Sequence, residues 1–420
     1  MKENKHIISA IDIGTTKIAV VIAEFIDIEN KINILGVGIT NSYGLKKGIV
    51  VDMNLTIESI QDALNQAEQQ ADVEIDSVFV GITGEHIRGI NYSGVITLSK
   101  GKTRQAIGHE ITQDDINRVL EHAQSINLSP DRRILHVLSR DFKVDERSGI
   151  KQPLGLSGHR LEAKVHLVTS AINVEKDLLT CLDKIGIDVS KFILEPLASA
   201  HAVLDQNERN LGVILVDIGG GTTDIIIYHD GGVLHAGSVP LGGDNITNDI
   251  AYGVQTTLEQ AEKLKCEYGS AKKALSEDIE NISVQGISGR KDTTISKKKL
   301  ASIIEPRMDE IFKHVKNEIG KSDYSGDYTF GIVLTGGGAK LENIIDLAQE
   351  VFHYPVKIGI PDLNGGVSEK VNNPRFSPAV GLINYGKDNW KEIQYESDRR
   401  FDSIIKNTFG QLKKFLKSWY

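Results

Sequence analysis

The chain has 420 residues, with 48 Lys and Arg against 57 Asp and Glu, which gives a formal net charge of −9. This length accommodates two or more domains, and the acidic balance argues against a general nucleic-acid-binding protein, which needs a basic surface. Two cysteines, Cys181 and Cys266, exclude a disulfide scaffold and a cysteine-rich zinc site. The longest apolar stretch contains two aspartates, so we expect a cytoplasmic protein without a spanning helix.

From its start to about residue 204 the chain is predicted to alternate strands with helices. Apolar runs and alternating patterns predict strands at Ile7–Ala23 (two strands joined by a turn), Ile32–Ile39, Val78–Thr83, Arg133–Val144 and Ala163–Thr169. Apolar residues at helical spacing predict helices at Leu55–Ala71, Thr112–Ser125, Val174–Ile185 and Leu197–Leu204. The loop-rich residues between 83 and 163 are predicted to be an insert.

The second half of the chain repeats this pattern. Strands are predicted at Gly212–Asp217, Ile225–Tyr228 and Gly331–Leu334, and helices at Asn245–Tyr252, Thr257–Tyr268, Leu300–Ile319 and Ile344–Val351. Lys272–Lys299 is polar and is predicted to be mixed and rich in strands, and the charged stretch Gly386–Asp402 is predicted to be a linker. The two similar halves indicate an α/β protein with an internal duplication.

Two glycine turns follow apolar strands that end in a carboxylate. The first is Asp12-Ile13-Gly14-Thr15-Thr16-Lys17, and the second is Asp217-Ile218-Gly219-Gly220-Gly221-Thr222-Thr223-Asp224. Glycine lets backbone N–H groups approach an anion, threonine adds hydroxyl donors, and a carboxylate at the strand end suits hydrated magnesium. Either turn alone is equally compatible with an ordinary β-hairpin, whereas two copies in one chain favour a pair of phosphate-binding turns.

A third glycine cluster, Gly336-Gly337-Gly338, follows the strand that ends at Thr335. It is compatible with a tight turn between a strand and a helix, or with close approach of the backbone to the sugar or α-phosphate of a nucleotide. It is neither a Walker A loop nor a Rossmann fingerprint, because the lysine and the glycine spacing of those motifs are missing.

Together the three turns resemble those of the actin and heat-shock-chaperone ATPase superfamily. Three further segments are similar to its connecting segments and to the segment after its second phosphate hairpin: Glu195–Ala200, Ala379–Leu382 and Val239–Asp244. Within the superfamily, Arg133–Val137, Val144-Asp145 and Pro153–His166 resemble the FtsA family of bacterial cell-division proteins. The resemblance covers most of residues 7–385.

The resemblance implies an actin-like ATPase fold of two lobes, built from duplicated ribonuclease-H-like domains with an FtsA-type inserted subdomain. The implied division is 1–84 with 166–197 and 361–385 for subdomain 1A, 85–165 for inserted subdomain 1C, 198–230 with 306–360 for subdomain 2A, 231–305 for subdomain 2B, 386–402 for the linker, and 403–420 for an amphipathic helix.

The same resemblance implies ATP and Mg²⁺ as cofactors and assigns residues to them. The phosphates would be held by Gly14, Thr15, Thr16, Lys17, Gly219, Gly220, Gly221 and Thr222. The adenosine would contact Gly336, Gly337 and Gly338, with Glu259 and Lys263 nearby, and Asp12 and Asp217 would hold magnesium through water. Glu195 stands where related ATPases orient the attacking water, although a helix start before Pro196 is the simpler explanation of this residue. The resemblance also implies at most slow ATP hydrolysis.

The last eighteen residues differ from the rest of the chain, since they contain four lysines and no acidic residue. At 100° per residue, one apolar sector contains Ile404, Ile405, Phe409, Leu412, Phe415, Leu416 and Trp419, and the lysines, including Lys413, Lys414 and Lys417, lie outside it. Apolar residues on one face and lysines on the other are typical of a helix that lies in a membrane interface, and a helix docked on the protein body is the alternative.

By resemblance, the chain is expected to form filaments at the cytoplasmic face of the inner membrane and to anchor the tubulin-like division protein FtsZ there, as a peripheral protein at the division septum. Its expected partners are the FtsZ C-terminal tail, other copies of the chain, anionic lipid and later division proteins, and not nucleic acid. Basic residues that could meet an acidic tail are Arg290, Lys297, Lys298 and Lys299, although a solvated lysine run explains them equally well. The alternatives are a pilus-assembly ATPase, a small-molecule kinase and a heat-shock-type chaperone.

Overall fold

The computed structural model describes residues 5–26, 29–98, 109–276, 281–286, 292–322, 324, 326–363 and 365–389. The strands are β1 (Lys5–Ile13), β2 (Lys17–Ile26), β3 (Lys31–Asn41), β4 (Leu45–Lys46), β5 (Ile49–Val50), β6 (Ser77–Ile82), β7 (Arg88–Thr97), β8 (His109–Glu110), β9 (Arg132–Val144), β10 (Arg147–Ile150), β11 (Ser157–Gly158), β12 (Arg160–Ala171), β13 (Asp188–Leu194), β14 (Val213–Ile218), β15 (Thr223–His229), β16 (Gly232–Val239), β17 (Asn281–Val284), β18 (Thr293–Ser296), β19 (Ile332–Thr335) and β20 (Val356–Ile358).

The helices are α1 (Met53–Ala71), α2 (Gln113–Gln124), α3 (Ile172–Asp183), α4 (Glu195–Val203), α5 (Gln206–Leu211), α6 (Gly243–Val254), α7 (Leu258–Tyr268), α8 (Lys297–Ile319) and α9 (Ile344–Phe352), followed by a helix at residues 377–389. Side-chain caps begin several of them, and in α2 the Thr112 hydroxyl and the Asp115 carboxylate form a capping box. None of the helices in the described ranges has the length and apolar composition needed to cross a membrane.

Two five-stranded sheets with equivalent topology form the two lobes. The first has the strand order β3-β2-β1-β6-β13, and the second has the order β16-β15-β14-β19-β20. In each sheet the first three strands along the chain form an antiparallel meander. The other two strands are parallel to the first strand of the meander and lie on its free side. The predicted duplication is therefore confirmed at the level of sheet order and strand direction.

Both sheets are covered on both faces, which explains why their central strands are apolar without alternation. The outer face of the first sheet packs on α1 and α3, and the outer face of the second packs on α6 to α9. The inner faces share one core with α4 and the helix at 377–389. These two connecting helices cross closely, because Gly381 has no Cβ and the Ala198 carbonyl occupies that position.

The predicted insert is a small domain of its own. Strands β10-β9-β12-β7 form a four-stranded sheet, α2 packs on one face of it, and a separate apolar cluster fills the space between. Its strand β12 continues to Ala171 and pairs with β7 as far as Thr169. The predicted boundary at 165/166 therefore cuts through a strand.

Three further boundaries drawn from the sequence differ from the structure. Strand β16 pairs with β15 in the second sheet, so the boundary at 230/231 divides one sheet. Helix α8 is continuous across the boundary at 305/306. Among the described residues of the polar stretch that precedes it, β17 and β18 are the strands. The helix that begins at 377 continues to 389, so the first residues of the predicted linker are helical.

Candidate functional site

The two predicted phosphate turns have the same local geometry and face each other across the cleft between the lobes. Gly14 N donates to Lys17 O at 3.0 Å, and Gly219 N donates to Thr222 O at 2.9 Å. Each turn joins the first two strands of its sheet, so the chain folds into the same tight hairpin twice. Backbone N–H groups at such a turn form an anion-binding concavity.

Close packing across the cleft depends on the missing Cβ atoms of the second turn. A Cβ on Gly220 would lie 2.8 Å from the Thr16 hydroxyl, and one on Gly221 would lie 2.6 Å from the Thr15 hydroxyl. Because real Cβ atoms essentially never approach so closely, a side chain at either glycine would require the threonine opposite it, or the lobes, to move. The structure therefore brings together the two turns that the sequence predicted as a pair.

Buried carboxylates from both lobes line the floor of this cleft. Asp12 forms an ion pair with Lys17, and Asp217 accepts a hydrogen bond from the Ser199 hydroxyl at 2.6 Å. Asp224, on the second hairpin, accepts from Thr222 at 3.1 Å and also from the Thr83 hydroxyl at the end of β6. The Thr83–Asp224 hydrogen bond joins the two lobes.

Burial raises the pKa of three carboxyl groups in this cleft, those of Asp217, Asp224 and Glu195. The pKa of Asp217 is raised to about 7, mainly by burial, although the Ser199 hydrogen bond opposes the shift. Burial likewise raises the pKa of Asp224, and it raises that of Glu195 well above the ordinary value, with the charges of Asp12, Asp224 and Asp217 adding to the effect. A divalent cation at this position would offset that concentration of negative charge.

Glu195 begins α4 and is followed by Pro196 in the first turn, as a helix start favours. Its side chain also packs against Gly81 of the first lobe, where an added Cβ would lie 3.0 Å from the Glu195 Cγ. The Glu195 Oε1 atom is buried without a hydrogen-bond partner. The helix-start explanation fits what the structure shows, and a buried, unpaired carboxylate oxygen in a cleft is also compatible with a bound water or cation.

The third glycine turn lies directly beside the second. Gly336 has a φ of 85°, and a Cβ on it would overlap the Asp217 Oδ1 and lie 2.6 Å from the Ile218 carbonyl. Gly338 packs against the Ile218 side chain, whereas Gly337 is exposed with open space around its Cα. The turn therefore presents a bare backbone surface next to Asp217.

Helix α7 differs from the sequence-based assignment. Glu259 and Lys263 are exposed, and Lys263 forms an ion pair with Glu267 at 4.0 Å. The residues that face the second turn are Glu262 and Lys265, whose Nζ lies 2.6 Å from Glu262 and 3.1 Å from the Gly243 carbonyl. The residues of α7 that were assigned from the sequence therefore lie on its exposed face, because the rotation of the helix is set by its packing on α6.

Three of the four basic residues that were predicted to contact a partner lie within the described part of the chain. Lys297, Lys298 and Lys299 form the first turn of α8, where Ser296 caps the helix through the Lys299 N–H. The Lys297 Nζ is 2.5 Å from Glu342, so that side chain already has a structural ion pair. Arg290 and all of the proposed membrane residues between Ile404 and Trp419 lie outside the described residues.

Two buried histidines have structural hydrogen-bond partners. His136 Nε2 accepts from Leu194 N at 3.0 Å, and His166 Nε2 accepts from Ala236 N at 3.1 Å. Burial lowers the pKa of both rings to about 3, so they stay neutral near pH 7. Over the described ranges, no three His, Cys, Asp or Glu side chains converge as a direct metal-binding group.

Comparison with known proteins places these observations in a family. The family model described as "Cell division protein FtsA" matches residues 214–381, and the model "SHS2 domain inserted in FTSA" matches residues 84–169. The chain is 42% identical over 408 residues to Cell division protein FtsA of Pseudomonas aeruginosa, covering 97% of this chain and 94% of that protein.

Solved structures at low sequence identity share the fold. The PilM–PilN type IV pilus biogenesis complex superposes with a TM-score of 0.64 at 16% identity, covering 90% of this chain and 98% of that one. MreB 5 of Spiroplasma citri bound to AMPPNP superposes with a TM-score of 0.56 at 14% identity, covering 93% and 99% of the two chains. The expected actin-like ATPase fold is confirmed.

Proposed function

The chain belongs to the FtsA family of cell-division proteins, and we propose that it is an ATP-binding scaffold that anchors the FtsZ ring to the cytoplasmic face of the inner membrane. Its place among actin-like cell-division proteins follows from its near full-length similarity to a curated relative. The proposal adds the nucleotide, the membrane and the partner. The observation that carries it is the pair of phosphate turns facing each other across buried carboxylates.

The cleft suits a magnesium nucleotide. The backbone turns at Gly14 and Gly219 would hold the β- and γ-phosphates, and the bare turn at Gly336–Gly338 would lie against the adenosine. MreB 5, which shares the fold, was solved with AMPPNP bound. Glu262 and Lys265 on α7 replace Glu259 and Lys263 as the residues proposed to lie near the ribose and base.

Mg²⁺ would be held through water by Asp12 and Asp217, since magnesium keeps part of its hydration shell. When bound, the ion supplies charge neutralisation to the phosphates. The unpaired Glu195 Oε1 would orient a water molecule there. Burial and the neighbouring carboxylates raise the pKa of this carboxyl group, which makes it a weaker electrostatic partner for that water than an ordinary ionised glutamate.

The proposed membrane contact is the amphipathic segment 403–420. Four lysines near an anionic leaflet contribute about 1 kcal/mol each, and the buried Phe, Leu, Ile and Trp side chains add to this. The resulting affinity is moderate, so assembly of many copies into a filament would strengthen attachment by multivalency. Self-association and membrane attachment therefore support each other in the proposal.

Introducing glutamate on the apolar face should release the protein from membranes. Phe415→Glu together with Trp419→Glu is expected to reduce binding to vesicles containing anionic lipid at least tenfold, because each charge must enter the interface. Vesicle co-sedimentation with ATP measures the effect. The matched control is Asn407→Glu with Ser418→Glu, which adds the same charge outside the apolar sector. An equal loss of vesicle binding in both double variants would show that added charge alone is responsible, and would contradict a membrane-binding apolar face.

The FtsZ tail is proposed to contact the subdomain that contains the start of α8. Lys298→Ala with Lys299→Ala is expected to weaken the binding of an acidic FtsZ tail peptide severalfold, with less effect at high salt, where charge attraction is screened. Fluorescence anisotropy would measure this, and Arg290→Ala would extend the test. Lys313→Ala, further along α8, is the control. Unaltered affinity in the first variant would remove these lysines from the site.

Reconstitution on a supported anionic bilayer with ATP tests the function as a whole. Membrane-bound filaments that recruit a fluorescent FtsZ tail peptide are the expected result. Phosphorylation of a small sugar would instead support the kinase alternative, and filaments that ignore the peptide would favour an actin-like ATPase of another assembly, such as the pilus type. Recruitment of later division proteins can be assayed on the same bilayer.

A further inference from the structure

The tip of the β4–β5 hairpin lies at the edge of the phosphate cleft. Lys47 and Gly48 both have positive φ angles, 50° and 76°, as the two central residues of a type I′ turn require. Asn, Asp and Gly adopt this conformation readily, whereas a lysine rarely does. A residue held in such a conformation by its surroundings is a candidate for a functional role.

Contacts from both lobes hold this tip in place. In the first lobe, the Lys47 carbonyl oxygen lies 2.8 Å from the position of a Cβ on Gly84, and Gly48 packs against the Thr83 carbonyl. In the second lobe, the Lys47 Cα lies 3.1 Å from the position of a Cβ on Gly221. The lysine therefore stands on the first lobe and directly contacts the phosphate turn of the second.

Among the residues that the structure describes, the side chain of Lys47 forms one weak ion pair. Its Nζ is 3.8 Å from Glu85 Oε1, and the two side chains are 37% and 53% exposed. An ion pair of this length and exposure contributes little and is easily exchanged. An extended lysine places its Nζ about 6 Å from its Cα, so from this position the ammonium group would reach a phosphate held between the two turns.

We propose that Lys47 binds the terminal phosphate of a nucleoside triphosphate in the cleft and exchanges Glu85 for that phosphate. The inference rests on the nucleotide binding proposed above and adds a residue that distinguishes the triphosphate from the diphosphate. Lys17 is already paired with Asp12, so Lys47 would bring a separate positive charge to the γ-phosphate. Because the diphosphate lacks that group, this contact forms only with the triphosphate.

Two variants of opposite effect test the inference. Lys47→Gln is expected to weaken ATP binding about tenfold with ADP binding unchanged. Glu85→Gln is expected to strengthen ATP binding, because it removes the competing carboxylate. Lys46→Gln, at the exposed neighbouring position, is the control for charge alone, and Lys47→Arg should retain the preference for ATP.

Isothermal titration of the full chain with Mg·ATP and Mg·ADP measures these affinities, and a melting curve of each variant checks the fold. Equal losses for both nucleotides, or none, in Lys47→Gln would overturn the role of Lys47 while leaving nucleotide binding intact. Failure of the unmodified chain to bind either nucleotide would instead reject the proposed nucleotide site and the role of Lys47 with it.

Discussion

Replacing Gly336 with alanine is expected to lower the free energy of unfolding by about 2–4 kcal/mol and to abolish nucleotide binding at micromolar concentrations. Two costs combine at this position. The φ of 85° is unfavourable for any residue with a Cβ, and that atom would overlap the Asp217 carboxylate and press on the Ile218 carbonyl. Relief requires movement of β14, which carries the second phosphate turn.

Gly337→Ala is the matched control for this prediction. Gly337 has an ordinary φ, and a Cβ on it would meet no atom within 4 Å, so the ligand-free protein should unfold at the same urea concentration as the unmodified chain. If adenosine lies on this turn, Gly337→Val should weaken ATP binding without loss of stability. Equal stability of the Gly336→Ala and Gly337→Ala proteins would show that the Gly336 turn relaxes freely and would contradict the close approach.

Replacing Asp217 with asparagine is expected to stabilise the ligand-free protein at pH 8 and to leave its stability unchanged at pH 4. The folded pKa of Asp217 is about 7, above its ordinary value of 3.8. Between these pH values the unfolded carboxyl group releases its proton while the folded one keeps it, so the free energy of unfolding falls as pH rises. At 1.36 kcal/mol per pH unit the full effect is about 4 kcal/mol, as an upper bound.

Urea unfolding in EDTA at pH 4, 6 and 8 measures this difference between Asp217→Asn and the unmodified chain. An asparagine oxygen can still accept the Ser199 hydrogen bond, so the packing should be kept. Ser199→Ala removes the hydrogen bond that lowers the pKa of Asp217. In that variant the loss of stability should therefore extend to higher pH. With Mg·ATP present the unmodified chain should be the more stable of the two proteins, since the ion requires the Asp217 carboxylate. Parallel stability curves for the two proteins would contradict a raised pKa at Asp217.

Local chemistry was sufficient to predict the three glycine turns. A turn such as Gly14 to Lys17 closes on its own hydrogen bond, and its requirement for glycine and a preceding aspartate is visible within a few residues of sequence. The duplication was predictable for the same reason, because each lobe repeats the strand, the turn and the returning strand. These features were found where they were expected.

Contacts between distant parts of the chain were not predictable in this way. Thr83 and Asp224 are 141 positions apart, and neither the threonine nor the second aspartate of the hairpin was assigned a role. The repeated aspartate spacing around the second turn was the available signal. Likewise, the sequence of α7 offers acid and lysine pairs on two faces, and only its packing selects Glu262 and Lys265.

Neighbouring residues were enough to predict the position of each glycine turn and the amphipathic character of the last eighteen residues, because backbone turns and helical faces are local. The resemblance carried by those turns then indicated the fold family. The tertiary structure alone decided which side chains meet across the cleft. It brings Lys47 to Gly221, leaves Glu195 Oε1 unpaired and raises the pKa of Asp217, since burial and charge accumulate only when the two lobes pack together.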